Sequence, residues 1–112
     1  MKSELILQKR IQLDCGAEGW IAEHYESKKL LLPNGMYADS GVPVGYPDLT
    51  IYPGNGIVVF VETKIKYNKP SDEQLLFRDR MVNLGYLHKF IYSFEAWLNF
   101  KNTSLHSFRK KT

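Results

Sequence analysis

Three residues of this chain have the types and spacing to hydrolyse a phosphate ester together. Asp48 lies in Gly45-Tyr46-Pro47-Asp48-Leu49, and Glu62 and Lys64 lie in Val61-Glu62-Thr63-Lys64. A strand alternates its faces with a period of two, so Glu62 and Lys64 point the same way. The run before them, Ile57-Val58-Val59-Phe60-Val61, is apolar on both faces, the pattern of a strand in the middle of a sheet. Charges at the end of such a strand are costly unless something pairs with them. A carboxylate on one strand, another on its neighbour and a lysine two residues on suit a metal-and-phosphate site. The carboxylates hold a hard divalent cation, and the lysine faces the phosphate and the attacking water.

The elements that must position these groups follow from turn chemistry. Asp48 to Tyr52 reads as a strand, Pro53-Gly54-Asn55-Gly56 as a turn, and Ile57 to Lys64 as the central strand. One cation reaches both carboxylates only if they share a sheet face, and directly opposed residues of an antiparallel pair do so. A tight two-residue loop at Gly54-Asn55 would pair Asp48 with Val61 and separate the carboxylates. A three-residue loop, Gly54-Asn55-Gly56, pairs Asp48 with Glu62 and needs a left-handed residue at its end, which Gly56 supplies. The expectation is therefore a positive φ at Gly56 and carboxylates converging within about 5 Å, the reach of one ion with oxygen ligands at about 2.1 Å.

Around this hairpin, Ser3 caps a first helix from about Glu4 to Asp14, closed by Gly16. Glu4, Leu7, Ile11 and Cys15 share one face of it, with Gln8 beside Glu4, and Ile6 and Leu13 form a second apolar stripe. Trp20 to Glu26 reads as a strand, Leu30-Leu31-Leu32 as a further strand or the start of a loop, and Pro33 to Pro47 as a Gly- and Pro-rich loop. Ser71 starts a helix to about Leu84, stopped by Gly85. Leu87 to Tyr92 is a strand, and Ser93 caps a last helix from Phe94 to about Phe100, in which Trp97 belongs to the core. The second helix carries Leu75, Phe77 and Val82 toward the buried side, bordered by a polar stripe of Gln74, Arg78 and Met81. The order αβ(β)ββαβα makes an α/β protein, a mixed β-sheet flanked by helices.

Composition sets the limits. The chain has 112 residues, enough for one domain from 1 to 112 and too few for two. Hydrophobic residues make up 44% of it, with seven Tyr, six Phe and two Trp, so it can build a core. No apolar run has the length of a membrane span, and the N-terminus lacks a signal-peptide pattern. The single Cys15 excludes an internal disulfide and fits a reducing compartment. A net charge of +3 fits a polyanionic partner without requiring one. The basic residues gather after the acidic pair, at Lys64, Lys66, Lys69, Arg78 and Arg80, and again at Arg109-Lys110-Lys111. His24, His88 and His106 lack metal-ligand spacing.

Each residue also has a plainer reading. Asp48 after Pro47 suits a turn, Glu62 and Lys64 suit a solvated strand end, and Gln74 suits the fourth place of a Ser71-x-x-Gln74 capping box. Glu4 suits the first turn of a helix through its dipole. A basic tail is more often frayed than a DNA clamp.

Pro47-Asp48, a gap, then Glu62-x-Lys64 resembles the active-site motif of the PD-(D/E)xK nucleases. In full, the pattern is Gly45-x-Pro47-Asp48-Leu49, a turn, a β-rich run into Val61-Glu62-Thr63-Lys64, Ser71-x-x-Gln74 opening a helix, then Gly85 and a last strand. This resembles the VRR-Nuc (virus-type replication-repair nuclease) domain, from about Glu4 to about Tyr92. The resemblance implies a restriction-endonuclease-like fold and a Mg2+- or Mn2+-dependent endonuclease acting on DNA. It implies Asp48, Glu62 and the backbone carbonyl of Thr63 as metal ligands, Lys64 at the attacking water, and Gln74 close to the site. A first-helix glutamate reaches the metal site in this superfamily, and Glu4 is the N-terminal candidate. Lys66, Lys69 and Arg78 are the candidate DNA contacts.

Stand-alone members of that branch resemble Holliday-junction resolvases, which work as homodimers. A four-way junction is thus the first expected substrate, with the Ile6 and Leu13 stripe as a dimer contact. No base-reading element such as a helix-turn-helix is present, so DNA shape is the expected basis of selection. A nuclease for flaps, nicks or single strands, and a non-catalytic DNA-binding module on the same fold, stay open. The implied setting is intracellular and cytoplasmic, with a phage gene in a bacterial host as one source.

Overall fold

A computed structural model describes residues 2–25, 29–35, 37–39 and 45–105. The elements run α1 (Lys2–Ala17), β1 (Ile21–His24), β2 (Lys29–Leu31), β3 (Tyr37–Asp39), β4 (Leu49–Gly54), β5 (Ile57–Thr63), α2 (Asp72–Asn83), β6 (Leu87–Ile91) and α3 (Phe94–Ser104). Four strands form one sheet in the order β1-β4-β5-β6, with β5 and β6 parallel and the other pairs antiparallel. This is the mixed sheet flanked by helices that the residue pattern predicts. The apolar run of β5 occupies a central position, where both of its faces are covered.

The two faces carry different cores. On one, Leu49 and Ile51 of β4, Val59 and Val61 of β5 and Ile91 of β6 pack against Leu7, Ile11 and Cys15 of α1 and Trp97 of α3. Burying each such aliphatic side chain contributes roughly 1.5–3 kcal/mol. On the other face, Phe60 of β5 meets Phe77 of α2 edge-on at 5.5 Å, and Tyr46 meets Phe77 at 5.2 Å. Edge-to-face contacts of this kind add about 0.5–1.5 kcal/mol beyond burial. The sheet therefore holds α1 and α3 on one side, and α2 with the segment entering β4 on the other.

Two of the three expected helix caps form. Ser3 instead lies inside α1, which starts at Lys2 and runs through Gly16 to Ala17, because a single glycine in a helix costs only about 1 kcal/mol and does not by itself end it. The Ser71 side chain accepts from Gln74 N while Gln74 Oε1 accepts from Ser71 N, a complete capping box. Ser93 accepts from Ala96 N at the start of α3. Buried Lys101 joins α3 to the end of α1: its Nζ lies 2.7 Å from Asp14 and 3.0 Å from Glu18, and Trp97 Nε1 donates to Asp14 at 2.8 Å. Burial works against the Lys101 charge, but its bonds to the two carboxylates prevail and hold its pKa above the ordinary lysine value. Lys101→Ala leaves those carboxylates facing each other without their shared cation. Urea unfolding is expected to show a loss of about 3 kcal/mol, with the methionine substitution costing less.

Three further expectations are corrected. The stretch Pro33 to Pro47 is not all loop, because Tyr37–Asp39 forms β3 and pairs with β2 in a separate two-stranded ribbon. A turn closed by the 2.9 Å bond from Gly35 N to Leu32 O makes this pairing local, so it needs no place in the main sheet. Glycine and proline content hid a hairpin. Val82 does not face the buried side: it is exposed, and Phe77 is the buried residue of α2.

The third correction concerns the turn. Gly56 has φ of +75° as expected, but Asn55 is also left-handed at +56° and Gly54 pairs with Ile57. The loop is thus the two-residue Asn55-Gly56 rather than the three-residue form, since asparagine tolerates the left-handed region that a primed turn requires. The register then shifts between Gly54 and Ile51, and Thr50 faces Phe60 as Leu49 faces Val61. Tyr52 and Pro53 together oppose Val58, a β-bulge at a residue with no N–H to donate. Glu26, Gly41, Pro43, His106 and Arg109-Lys110-Lys111 lie outside the described residues.

Candidate active site

The shifted register brings the acidic pair together. Continued by one residue, the pairing of Leu49 with Val61 sets Asp48 opposite Glu62. Without the bulge, the Asn55-Gly56 turn would set Asp48 opposite Thr63 and put the carboxylates on opposite faces. Asp48 also ends the ladder. Its Oδ2 takes the place of the next backbone acceptor, receiving Thr63 N at 2.9 Å and the Thr63 hydroxyl at 2.7 Å. On the other side of β5, Lys64 N donates to Ile91 O at 2.9 Å, so the strand ends supported from both neighbours.

Glu62 is 4% exposed, on the sheet face that carries Phe60 and, across the parallel ladder, Phe90. Its pKa is pushed up to about 9, first by burial, then by the charge and hydrogen-bonding proximity of Asp48; Lys64 offsets part of this and Glu4 adds to it. Glu62 Oε2 is buried without a hydrogen-bond partner. A buried orphan oxygen beside a second carboxylate fits a hard divalent cation, whose charge reverses the local preference for a proton. Among the described residues no group of three or more His, Cys, Asp or Glu side chains is gathered for a metal ion. The Asp48 and Glu62 carboxylates are the acidic pair that could hold such an ion, and the Glu4 carboxylate, in the first turn of α1, adds to the negative charge felt by Glu62.

The other candidates lie on the segments that follow β5. Lys64 is half-buried, one residue beyond β5, with the alternation that directs it to the Glu62 face. Lys66 and Lys69 are exposed in the turn that follows, where Lys66 has a positive φ of 49°. Half-buried Arg78 of α2 lies 3.0 Å from Asp79 and 5.9 Å from the Phe90 ring centroid. Gln74 is half-buried, with its side-chain oxygen held by the capping box. His88 packs edge-on to Phe90 at 4.9 Å, and burial, then Arg78, pushes its pKa down to about 4.

One group at the site was not singled out by its sequence. Gln8 Nε2 donates to Thr63 Oγ1 at 3.0 Å, which links α1 to Asp48 through the threonine hydroxyl. Its signal was present: a polar residue adjoining Leu7 and one turn before Ile11 and Gln12, at a position where the helix buries its surface.

Gly45 decides where Asp48 can lie. It has φ of +86°, and a Cβ there would fall 2.4 Å from Glu73 O in the first turn of α2. The backbone thus runs directly against that helix. Tyr46 then packs between Tyr25 and Phe77, and Pro47 is fully buried.

Scanned against models of known protein families, the sequence matches none, and no curated protein matches it. Among solved structures it is similar to one described as a VRR_NUC domain, with a TM-score of 0.69 and 22% identity, covering 90% of this chain and 96% of that one. The agreement extends over nearly the whole of both chains, and the chain has the VRR_NUC fold, a mixed sheet of the restriction-endonuclease-like kind flanked by helices.

Proposed function

We propose that this chain is a divalent-metal-dependent endonuclease that hydrolyses phosphodiester bonds in DNA, with residues 1–112 forming one nuclease domain. The observation that carries the reading is the buried, unpartnered Glu62 Oε2 beside Asp48. Such a pair is unfavourable in a protein that only folds, and it is what a cation site requires. Oxygen donors favour Mg2+ or Mn2+ over softer metals. When bound, the cation supplies an activated water and neutralises phosphate charge.

The protein's own groups do the rest. Asp48 and Glu62 hold the cation, with the Thr63 carbonyl as a further donor. Lys64 orients the water and offsets negative charge as it develops on the phosphate. Glu4 tightens the site's demand for positive charge. Lys66, Lys69 and Arg78 give the backbone of DNA its contacts, so binding weakens as salt rises. Gln74 spends its oxygen on the helix cap, which leaves its NH2 end for a phosphate or water nearby.

The substrate reading is branched DNA, with the four-way junction first and flaps, nicks or single strands as the alternatives. Paired cuts need two sites, and a two-fold dimer provides them. Ile6 and Leu13, at 59% and 76% exposed, leave an apolar stripe on α1 for a second copy to cover.

The test is cleavage of matched linear, flap and four-way-junction DNA, with Mg2+ and with EDTA. Activity is expected only with the metal, Asp48→Asn and Glu62→Gln are expected to abolish it, and Lys64→Ala to reduce turnover steeply. Full activity in EDTA would defeat the reading. Equal cutting of linear duplex and junction, or a monomer by light scattering with DNA present, would remove the resolvase form and leave the nuclease.

A further inference from the structure

The hydrogen bonds behind Asp48 have only one self-consistent direction. Oδ2 accepts the Thr63 backbone N–H at 2.9 Å, so its 2.7 Å contact with Thr63 Oγ1 must use the hydroxyl hydrogen. A hydroxyl has a single hydrogen, so toward Gln8 the same oxygen can only accept. The Gln8 carboxamide must then present its NH2 end, at 3.0 Å, and this fixes its orientation by chemistry. The three groups form a one-way chain from Gln8 to Thr63 to Asp48.

The chain is buried at its rear. Gln8 is 6% exposed, Thr63 is fully buried, and Gln8 Oε1 is left without a hydrogen-bond partner. Leaving a buried acceptor unsatisfied costs about 1–3 kcal/mol. Gln8 lies on the face of α1 that packs on the sheet, where leucine or methionine would fill the same space without that cost. Local stability therefore does not account for glutamine here, whereas control of a hydroxyl does.

We propose that Gln8 is a positioning residue of the cation site. By donating to Thr63 Oγ1 it directs the hydroxyl hydrogen at Asp48 Oδ2. That oxygen is then tied down by two bonds, and Oδ1 is left for the cation beside Glu62. The inference rests on the reading of Asp48 and Glu62 as cation ligands. It adds a part of the first helix, distinct from Glu4, that acts through another side chain and touches neither cation nor substrate.

The decisive variant is Gln8→Met, and Gln8→Glu complements it. In its ionised form Gln8→Glu keeps size and shape but replaces the donor with an acceptor, which competes with Asp48 for the one hydroxyl hydrogen. Its added negative charge would by itself tighten cation binding, so a loss of affinity has the opposite sign from the electrostatic effect. Mn2+ binding to the full chain, followed by calorimetry or electron paramagnetic resonance, is expected to weaken about tenfold in Gln8→Glu, as for other outer partners of metal ligands. Thr63→Val should show a similar loss, and Thr63→Ser should stay near wild type. Adding Gln8→Glu to Thr63→Val should cause no further loss, because no hydroxyl remains to turn.

In the metal-free protein, the Thr63 amide resonance should move in Gln8→Glu, since that N–H shares Oδ2 with the hydroxyl. Gln8→Met removes the donor without adding charge. It should weaken Mn2+ binding with little change in the unfolding midpoint, and it carries the test if Gln8→Glu does not fold. Wild-type affinity in Gln8→Met overturns the proposal. So does an equal loss with and without the Thr63 hydroxyl, or an unmoved Thr63 amide. Absence of saturable Mn2+ binding in the wild type, or binding that survives Asp48→Asn, instead overturns the cation reading and takes this proposal with it.

Discussion

Glu62→Gln is expected to make the metal-free protein more stable at neutral pH while abolishing the proposed cleavage of DNA. The sign follows from proton linkage. In the unfolded chain the Glu62 carboxyl titrates at its ordinary value of 4.5, whereas in the folded protein burial and Asp48 hold it near 9. Below the lower value both states carry the proton and nothing is lost. Between the two values the folded state must retain a proton that the unfolded state releases, so stability falls as pH rises and levels off above about 9. At pH 7 the penalty is on the order of 3 kcal/mol.

Glutamine has the same shape, no charge to bury and an NH2 group to offer Asp48. Urea titrations of both proteins in EDTA from pH 5 to 9 check this: the wild type should weaken across the range more than the variant does. Mg2+ should restore stability to the wild type alone, by mass action on the folded state, and increasingly at higher pH as it displaces the proton. A variant equal to or weaker than wild type at pH 7 would mean that Glu62 is not under this strain.

Gly45→Ala should damage both fold and activity. The new Cβ would lie 2.4 Å from Glu73 O, 2.6 Å from Glu73 C and 3.0 Å from Gln74 N, all backbone atoms of a capped helix that cannot swing aside. The left-handed φ of +86° adds strain of about 1 kcal/mol for any residue with a Cβ. Overpacking adds a further 1–3 kcal/mol. The loss in urea unfolding should therefore be on the order of 3 kcal/mol, and the segment should lift from α2, carrying Asp48 away from Glu62. Gly16→Ala is the control. Gly16 lies inside α1 with nothing near its added Cβ, so it should gain up to about 1 kcal/mol with cleavage intact. Equal effects at the two glycines would show that the Gly45 contact does not hold Asp48 in place.

The amino-acid sequence by itself determined the central strand, both later helices and the types of group at its end. Those signals are local: an unbroken apolar run in Ile57 to Val61, a Ser71 to Gln74 capping box, and Gly85 with φ of +95° after α2. Local signals also misled. Tyr37–Asp39 pairs as a strand despite its glycine- and proline-rich surroundings, because a ribbon closed by a turn needs little pattern of its own.

What only the tertiary structure decided is the register and the support behind it. The Asn55-Gly56 turn alone would have separated the carboxylates, and the bulge at Tyr52 and Pro53 brings them back to one face. A single residue of slip reverses every side chain on a strand, and its position depends on the whole ladder rather than on neighbours in sequence. The Gln8 chain lies further still from sequence reading: it joins residues 55 positions apart, and nothing in the composition of α1 says which threonine its glutamine will meet.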